Sequence, residues 1–217
     1  MAKVRNCISG LIHCIGASLA LIALVILIIF AAINGNAFDI ISFTLFGSGL
    51  FLYYLFSTLY HWLNIKEKKL NIFKKFENIM IYFLIATTFT PICFGPLLGP
   101  WGWSIFGVVW GFSITGMTLS AIWVKLPKIV NAIFYIILGI IIIITLVPLI
   151  PAYLSINFLY SLSLLFAGML FYFISLFIST FKWPNIKSFG FHEISHIFII
   201  LGSILHFIFI LNFITIF

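Results

Sequence analysis

Residues 8–33 read ISGLIHCIGASLALIALVILIIFAAI, an apolar run without Asp, Glu, Lys or Arg. As a helix rising 1.5 Å per residue, such a run covers ~39 Å, more than the ~30 Å hydrocarbon core of a bilayer. Comparable runs recur to the end of the chain, so spans are expected over 8–33, 40–63, 76–95, 102–124, 129–149, 153–180 and 191–215. Asn34-Gly35-Asn36, Gly95-Pro96, Gly99-Pro100, Pro127, Pro148, Pro151 and Pro184 separate them, and these residue types punctuate helices. The whole chain is 64% hydrophobic and 7% charged over 217 residues. A soluble domain carries roughly 25% charged residues. Lipid is therefore the solvent for this chain, and the expected fold is a single all-α integral membrane domain over 1–217 with seven transmembrane helices. An outer-membrane barrel would show ~10-residue alternating segments instead.

The eleven basic residues set the expected orientation. Lys3 and Arg5 precede the first span; Lys66, Lys68, Lys69, Lys74 and Lys75 lie between the second and third. Lys125 and Lys128 lie between the fourth and fifth, and Lys182 and Lys187 between the sixth and seventh. The alternate loops carry none. By the positive-inside rule the N-terminus is cytosolic and the C-terminus outside. This topology also accounts for the net charge of +7 without nucleic acid as a partner. Cys7, Cys14 and Cys93 have no metal-ligand spacing and read as small apolar side chains. The first apolar run is too long for a signal-peptide core, and no cleavage site follows it.

On that map the second span ends, and the third and seventh begin, at the cytosolic side. His61, Glu77, His192, Glu193 and His196 then share one depth, with Ser57 one turn deeper than His61. His192 and His196 are one helical turn apart and project from one face. Three imidazoles with an open fourth position are the donor set of a catalytic zinc, so His61, His192 and His196 are the candidate ligands. Such a zinc lowers the pKa of a water towards ~7 and polarises a carbonyl. Glu77 is the first candidate acid–base group and Glu193 the second. Ser57 is a candidate hydrogen-bond partner for the water, an oxyanion or a histidine; its plain alternative is a serine bonded to its own helix. His13 is read as a neighbour of the ligands or a packing residue. His206 lies fourteen residues beyond His192, ~21 Å along the helix, too deep to share the ion.

His192-Glu193-Ile194-Ser195-His196 also matches H-E-x-x-H, which supplies two ligands and a general base in zinc proteases. The longer H-E-x-x-H-x-x-G-x-x-H form is absent, because Ile199 and Gly202 stand at its glycine and third histidine. No acid follows Glu193 to act as a further ligand.

Several motifs together resemble the hemolysin III family, the bacterial branch of the progestin and adipoQ receptor superfamily. Ser57-Thr58-Leu59-Tyr60-His61 is similar to its S-x-L-Y-H segment. His192–His196 followed by Leu201-Gly202-Ser203 and His206-Phe207 is similar to its last helix. Ile12-His13-Cys14-Ile15-Gly16 resembles its H-G-I-G segment, and Thr88-Phe89-Thr90-Pro91 its T-Y-T-P. The resemblance covers essentially the whole chain. It implies seven helices around a cytosolic-side zinc on His61, His192 and His196, relatedness to ceramide-cleaving hydrolases, and a bacterial cytoplasmic membrane location. Phe76-Glu77-Asn78 departs from the family's L-D-x, which places a carboxylate one methylene longer at that point.

The leading functional expectation is a zinc-dependent hydrolase of a lipid amide or ester, with membrane lipids as its surroundings and source of substrate. The alternative from another class is a sensor or receptor of membrane state with zinc as a structural staple. A pore-forming hemolysin is weaker, because no span presents a continuous polar stripe, and an intramembrane protease rests on the short motif alone. The orientation makes a direct prediction: alkaline phosphatase fused after Phe217 is active outside the cell, and the same reporter fused within 64–66 is inactive. The reverse pattern would invert the topology.

Overall fold

A computed structural model describes residues 6–123, 127–148, 156–184 and 190–216. Among these residues the chain forms seven helices: α1 Cys7–Asn34, α2 Ala37–Trp62, α3 Glu67–Phe94, α4 Pro100–Ile122, α5 Lys128–Leu146, α6 Ile156–Phe181 and α7 Phe191–Ile216. Six of them, all but α5, are long and apolar enough to cross a membrane. The described residues of α5 give a shorter apolar stretch, Ile136–Thr145.

Six of the expected spans start or end within about three residues of a helix boundary wherever the boundary is described; part of the expected 102–124, 129–149 and 153–180 lies outside the described residues. The third is different. The helix begins at Glu67, nine residues ahead of the expected 76. Hydropathy marks where apolar residues begin, whereas Lys and Glu are good helix formers and continue the helix in the polar direction. That extension sets Lys74 and Glu77 three apart on one helical face.

Local chemistry explains the connections. Asn36 caps α2 by accepting from the backbone N–H of Phe38 at 2.7 Å, and Asp39 returns a bond to the Asn36 N–H at 2.8 Å. This reciprocal box closes the α1–α2 turn tightly. Gly99, at φ 145°, occupies a backbone region open to glycine, and Pro100 then starts α4 with a ring suited to a first turn. Pro91 sits in the last turn of α3, where Thr88 and Thr90 hydroxyls donate to the carbonyls of Leu84 and Ala86. These bonds satisfy the hydroxyls within the helix, as an apolar surround requires.

Among the described residues α1 packs on α2, α2 on α3, α3 on α4, α4 on α5 and α6 on α7, and α7 returns to α1 and α2. Leu27, Phe43, Phe46, Ile92, Leu165 and Phe209 are buried between the helices, while Ile22, Ile29, Ile33, Ile140 and Ile143 point outward. An apolar exterior around a packed interior is the expected sorting for a lipid-facing bundle. The α6–α7 pair approaches closely at Gly168 and Gly202. A Cβ on Gly202 would lie 2.9 Å from the Tyr172 ring and 3.0 Å from the Gly168 carbonyl oxygen.

Gly202→Ala is expected to force α6 and α7 apart, at a cost of about 1–3 kcal/mol. Gly111→Ala, where the new Cβ meets nothing within 4 Å, should leave melting unchanged or raised. Thermal unfolding in detergent compares them, and equal melting of the two would refute the close approach.

Candidate metal centre

The buried face of α1 carries Ser9, Gly10, His13, Gly16 and Ala20, a stripe of small residues around one imidazole. Those small residues let α2 come close, with the Tyr54 ring lying over Gly16. His13 thereby reaches the α2 face that holds Ser57 and His61, one turn apart and both buried. From the other side α7 contributes His192 and His196, and α3 contributes Glu77.

The structure brings four histidines together. The rings of His13 and His61 are parallel, with centroids 5.5 Å apart. His196 lies 4.1 Å from His13 and 5.4 Å from His61 between centroids. His192 lies 5.0 Å from His61 and 4.3 Å from His196. His61 and His196 therefore form a shared pair, flanked by His13 on the α1 side and His192 on the other. Ligand nitrogens of His13, His61 and His196 all fall within 4.8 Å of one another. The Nε2 atoms of His192 and His196 are 3.1 Å apart.

These residues fit a divalent cation. Both ring nitrogens of His13 and of His61, and Nδ1 of His196, are buried with no hydrogen-bond partner among the described residues. Unpaired buried polar atoms are costly, and a metal ion is a physical means of satisfying several at once. Nitrogens ~2.0–2.1 Å from a tetrahedral zinc stand ~3.3–3.4 Å apart, close to the His192–His196 separation.

Glu77 stands beside this group, 5% exposed. Its Oε1 accepts from Ser57 Oγ at 2.8 Å and lies 3.6 Å from His61 Nε2, longer than a hydrogen bond. Its Oε2 accepts from Lys74 Nζ at 2.6 Å. Lys74 also sits 4.8 Å above the Tyr60 ring. Sequence reasoning placed Lys74 in a loop and missed it; the i, i+3 spacing to Glu77 was the available signal once the helix is extended to Glu67.

Glu193 is differently engaged. Its Oε1 accepts from Ser9 Oγ at 2.6 Å and its Oε2 from the Gly190 N–H at 3.1 Å. The carboxylate thus caps α7 and ties it to α1. His206 is buried away from the four histidines, with Nε2 3.3 Å from the Leu165 carbonyl oxygen.

A cavity of about 320 Å³ opens beside the centre. Lys74, Glu77, His192 and His196 line one end of it, and Phe89, Tyr172 and His206 line the deeper part. Between Glu77 and Phe89 α3 advances twelve residues, so the cavity extends ~18 Å along the bundle. Its walls are mainly apolar, with Ile81, Ile85, Leu138 and Ile142 among them.

Residues 1–207 match the family model described as haemolysin-III related. The chain belongs to that family. A protein of Bacillus subtilis (strain 168) described as a hemolysin-3 homolog is 36% identical over 201 residues, which cover 93% of this chain and 89% of the relative. A Bacillus cereus protein described as hemolysin-3 is 35% identical over 205 residues, covering 94% of this chain and 88% of its own. This haemolysin III chain thus carries its histidine cluster inside a helical membrane bundle, beside an elongated apolar cavity.

If Glu193 is a cap and tether, Glu193→Ala lowers stability by about 1–2 kcal/mol. It should leave the metal content of purified protein unchanged. A full loss of bound metal with unaltered melting would instead place Glu193 at the centre.

Proposed function

We propose that this protein is a metal-dependent hydrolase of a lipid amide or ester, working at the cytosolic leaflet of a bacterial cytoplasmic membrane, with seven spans and a cytosolic N-terminus. The observation that carries the reading is the junction of a four-histidine group and a buried carboxylate with one end of a long apolar cavity. His61, His192 and His196 would hold the ion, with zinc the metal proposed for an imidazole set. A bound divalent ion would supply Lewis-acid polarisation of a carbonyl and a lowered pKa for a water at the site.

The chain's own residues do the rest. The apolar walls accept the hydrocarbon part of a lipid and bring its polar linkage to the end lined by Glu77 and His192. Ser57 and Lys74 hold the two carboxylate oxygens of Glu77 in place. Held so, Glu77 takes the proton of the attacking water and delivers it to the leaving nitrogen or oxygen. Exclusion of bulk water by the surrounding helices strengthens these polar contacts.

A second reading, a membrane-state sensor with a structural metal, is favoured by the His13–His61–His196 group, which joins three helices. The lytic activity suggested by the relatives' names is a third reading, measured by dye release from liposomes.

The decisive experiment measures metal content of detergent-purified wild type, His61→Ala and Glu77→Gln, and their hydrolysis of fluorogenic N-acyl amide and acyl ester lipids in mixed micelles. About one zinc per chain is expected in wild type and Glu77→Gln and little in His61→Ala. Glu77→Gln should lose about 10²–10⁴-fold in turnover. No stoichiometric metal in the wild type would overturn the reading. Metal-stabilised protein with no turnover of either lipid class would favour the sensor.

A further inference from the structure

We infer that the deep end of the cavity is a hydroxyl-recognition site, where His206 accepts a hydrogen bond from a hydroxyl carried far down a lipid chain. The inference rests on the lipid-hydrolase reading and deepens it, since it names the lipid class admitted: amides or esters of a hydroxylated acyl chain.

Proton counting at the deep end leaves one acceptor unmet. His206 is 3% exposed and lines the deeper part of the cavity. Its Nε2 lies 3.3 Å from the Leu165 carbonyl oxygen. A carbonyl oxygen only accepts, so this nitrogen carries the ring proton, and a neutral imidazole then offers Nδ1 as a bare acceptor. Nδ1 is buried with no partner among the described residues. Gly168 lies against the Cδ2–Nε2 edge of the ring, which leaves Nδ1 on the opposite edge, away from this part of α6.

Neighbouring hydroxyls do not supply the missing proton. The Tyr172 ring stands edge-on to His206, with centroids 5.1 Å apart. Its hydroxyl oxygen is 2.9 Å from Ser203 Oγ, and that of Tyr54 is 2.7 Å from the same atom. Ser203 gives its single proton to the Ile199 carbonyl at 2.9 Å. Both tyrosines therefore donate to Ser203, which leaves Tyr172 without a proton for His206. Thr88, on the wall of the same cavity, gives its proton to the Leu84 carbonyl at 2.7 Å. These groups offer acceptors and withhold donors. An unmet acceptor in apolar surroundings is costly, and a ligand that brings an O–H removes that cost. A ketone oxygen brings no proton and leaves the cost in place.

Distance sets where on the lipid the hydroxyl belongs. His206 follows His196 by ten residues, ~15 Å along α7. An extended chain reaching ~1.2 Å per bond covers that distance in about twelve bonds. With the polar linkage held at Glu77 and His192, a hydroxyl near the twelfth carbon of the acyl chain meets His206.

The test is equilibrium binding of three radiolabelled lipids to full-length protein in detergent, with protein-free micelles as the blank. The lipids are octadecanamide and its two analogues carrying a hydroxyl or a keto oxygen on the twelfth carbon. The readout is binding, so it does not depend on turnover. The hydroxy amide is expected to bind wild type about 10-fold more tightly than either of the others. His206→Phe, which keeps a ring against Gly168, should bind all three alike. Equal binding of the three by wild type overturns the inference and assigns the deep acceptor to water only. A preference that survives in His206→Phe overturns it as well. Should that variant not fold, the wild-type ranking decides, because the keto analogue matches the hydroxy amide in size and lacks only the donor. A hydroxyl preference without turnover of any lipid would fail the hydrolase reading and leave the recognition site standing.

Discussion

Lipid offers no hydrogen bonds, and every polar atom inside this bundle must find its partner in the protein or in something the protein binds. Much of the interior follows that rule, although the hydroxyls of Ser113, Ser120 and Ser161 are buried without a partner among the described residues. Thr58, Thr87, Thr88, Thr90 and Thr145 return their hydroxyls to carbonyls of their own helices. Tyr54 and Tyr172 converge on Ser203 from either side. Against this background the unpaired nitrogens of His13, His61 and His196 stand out, because they collect in one place.

The same rule shapes the acid beside them. A carboxylate in such surroundings is tolerable only with partners, and Glu77 has a hydroxyl on one oxygen and an ammonium on the other. Lys74 comes from the turn preceding Glu77, which the N-terminal extension of α3 makes helical. One local event, the continuation of a helix through a polar segment, therefore equips the centre with a cation. Glu193 shows the opposite case. It follows His192 directly in sequence, yet its carboxylate faces the α7 N-terminus and Ser9, and strengthens the α1–α7 seam.

Much of the fold could be read before any coordinates. Long apolar runs and their Gly/Pro breaks located the helices, because bilayer thickness imposes a length that sequence displays directly. The start of α3 was misjudged because hydropathy follows the solvent and not the backbone. The meeting of His61, Glu77, His192 and His196 was inferable from depth, since alternating spans bring particular ends to one side. Depth alone does not give direction around a helix axis. It could not reveal that His13 faces inward, nor that Glu193 turns away.

By itself, then, the sequence determined the helical class, the membrane setting and the end of the bundle at which ionisable groups gather. Length, apolarity and charge act additively along the chain and need no partner. Tertiary structure alone decided the four-histidine grouping, the Ser57–Glu77–Lys74 arrangement and the cavity that reaches them. Those depend on helix rotation and on which helices become neighbours. Both are settled by close packing at positions such as Gly16, Gly168 and Gly202, where the absence of a side chain lets another helix approach.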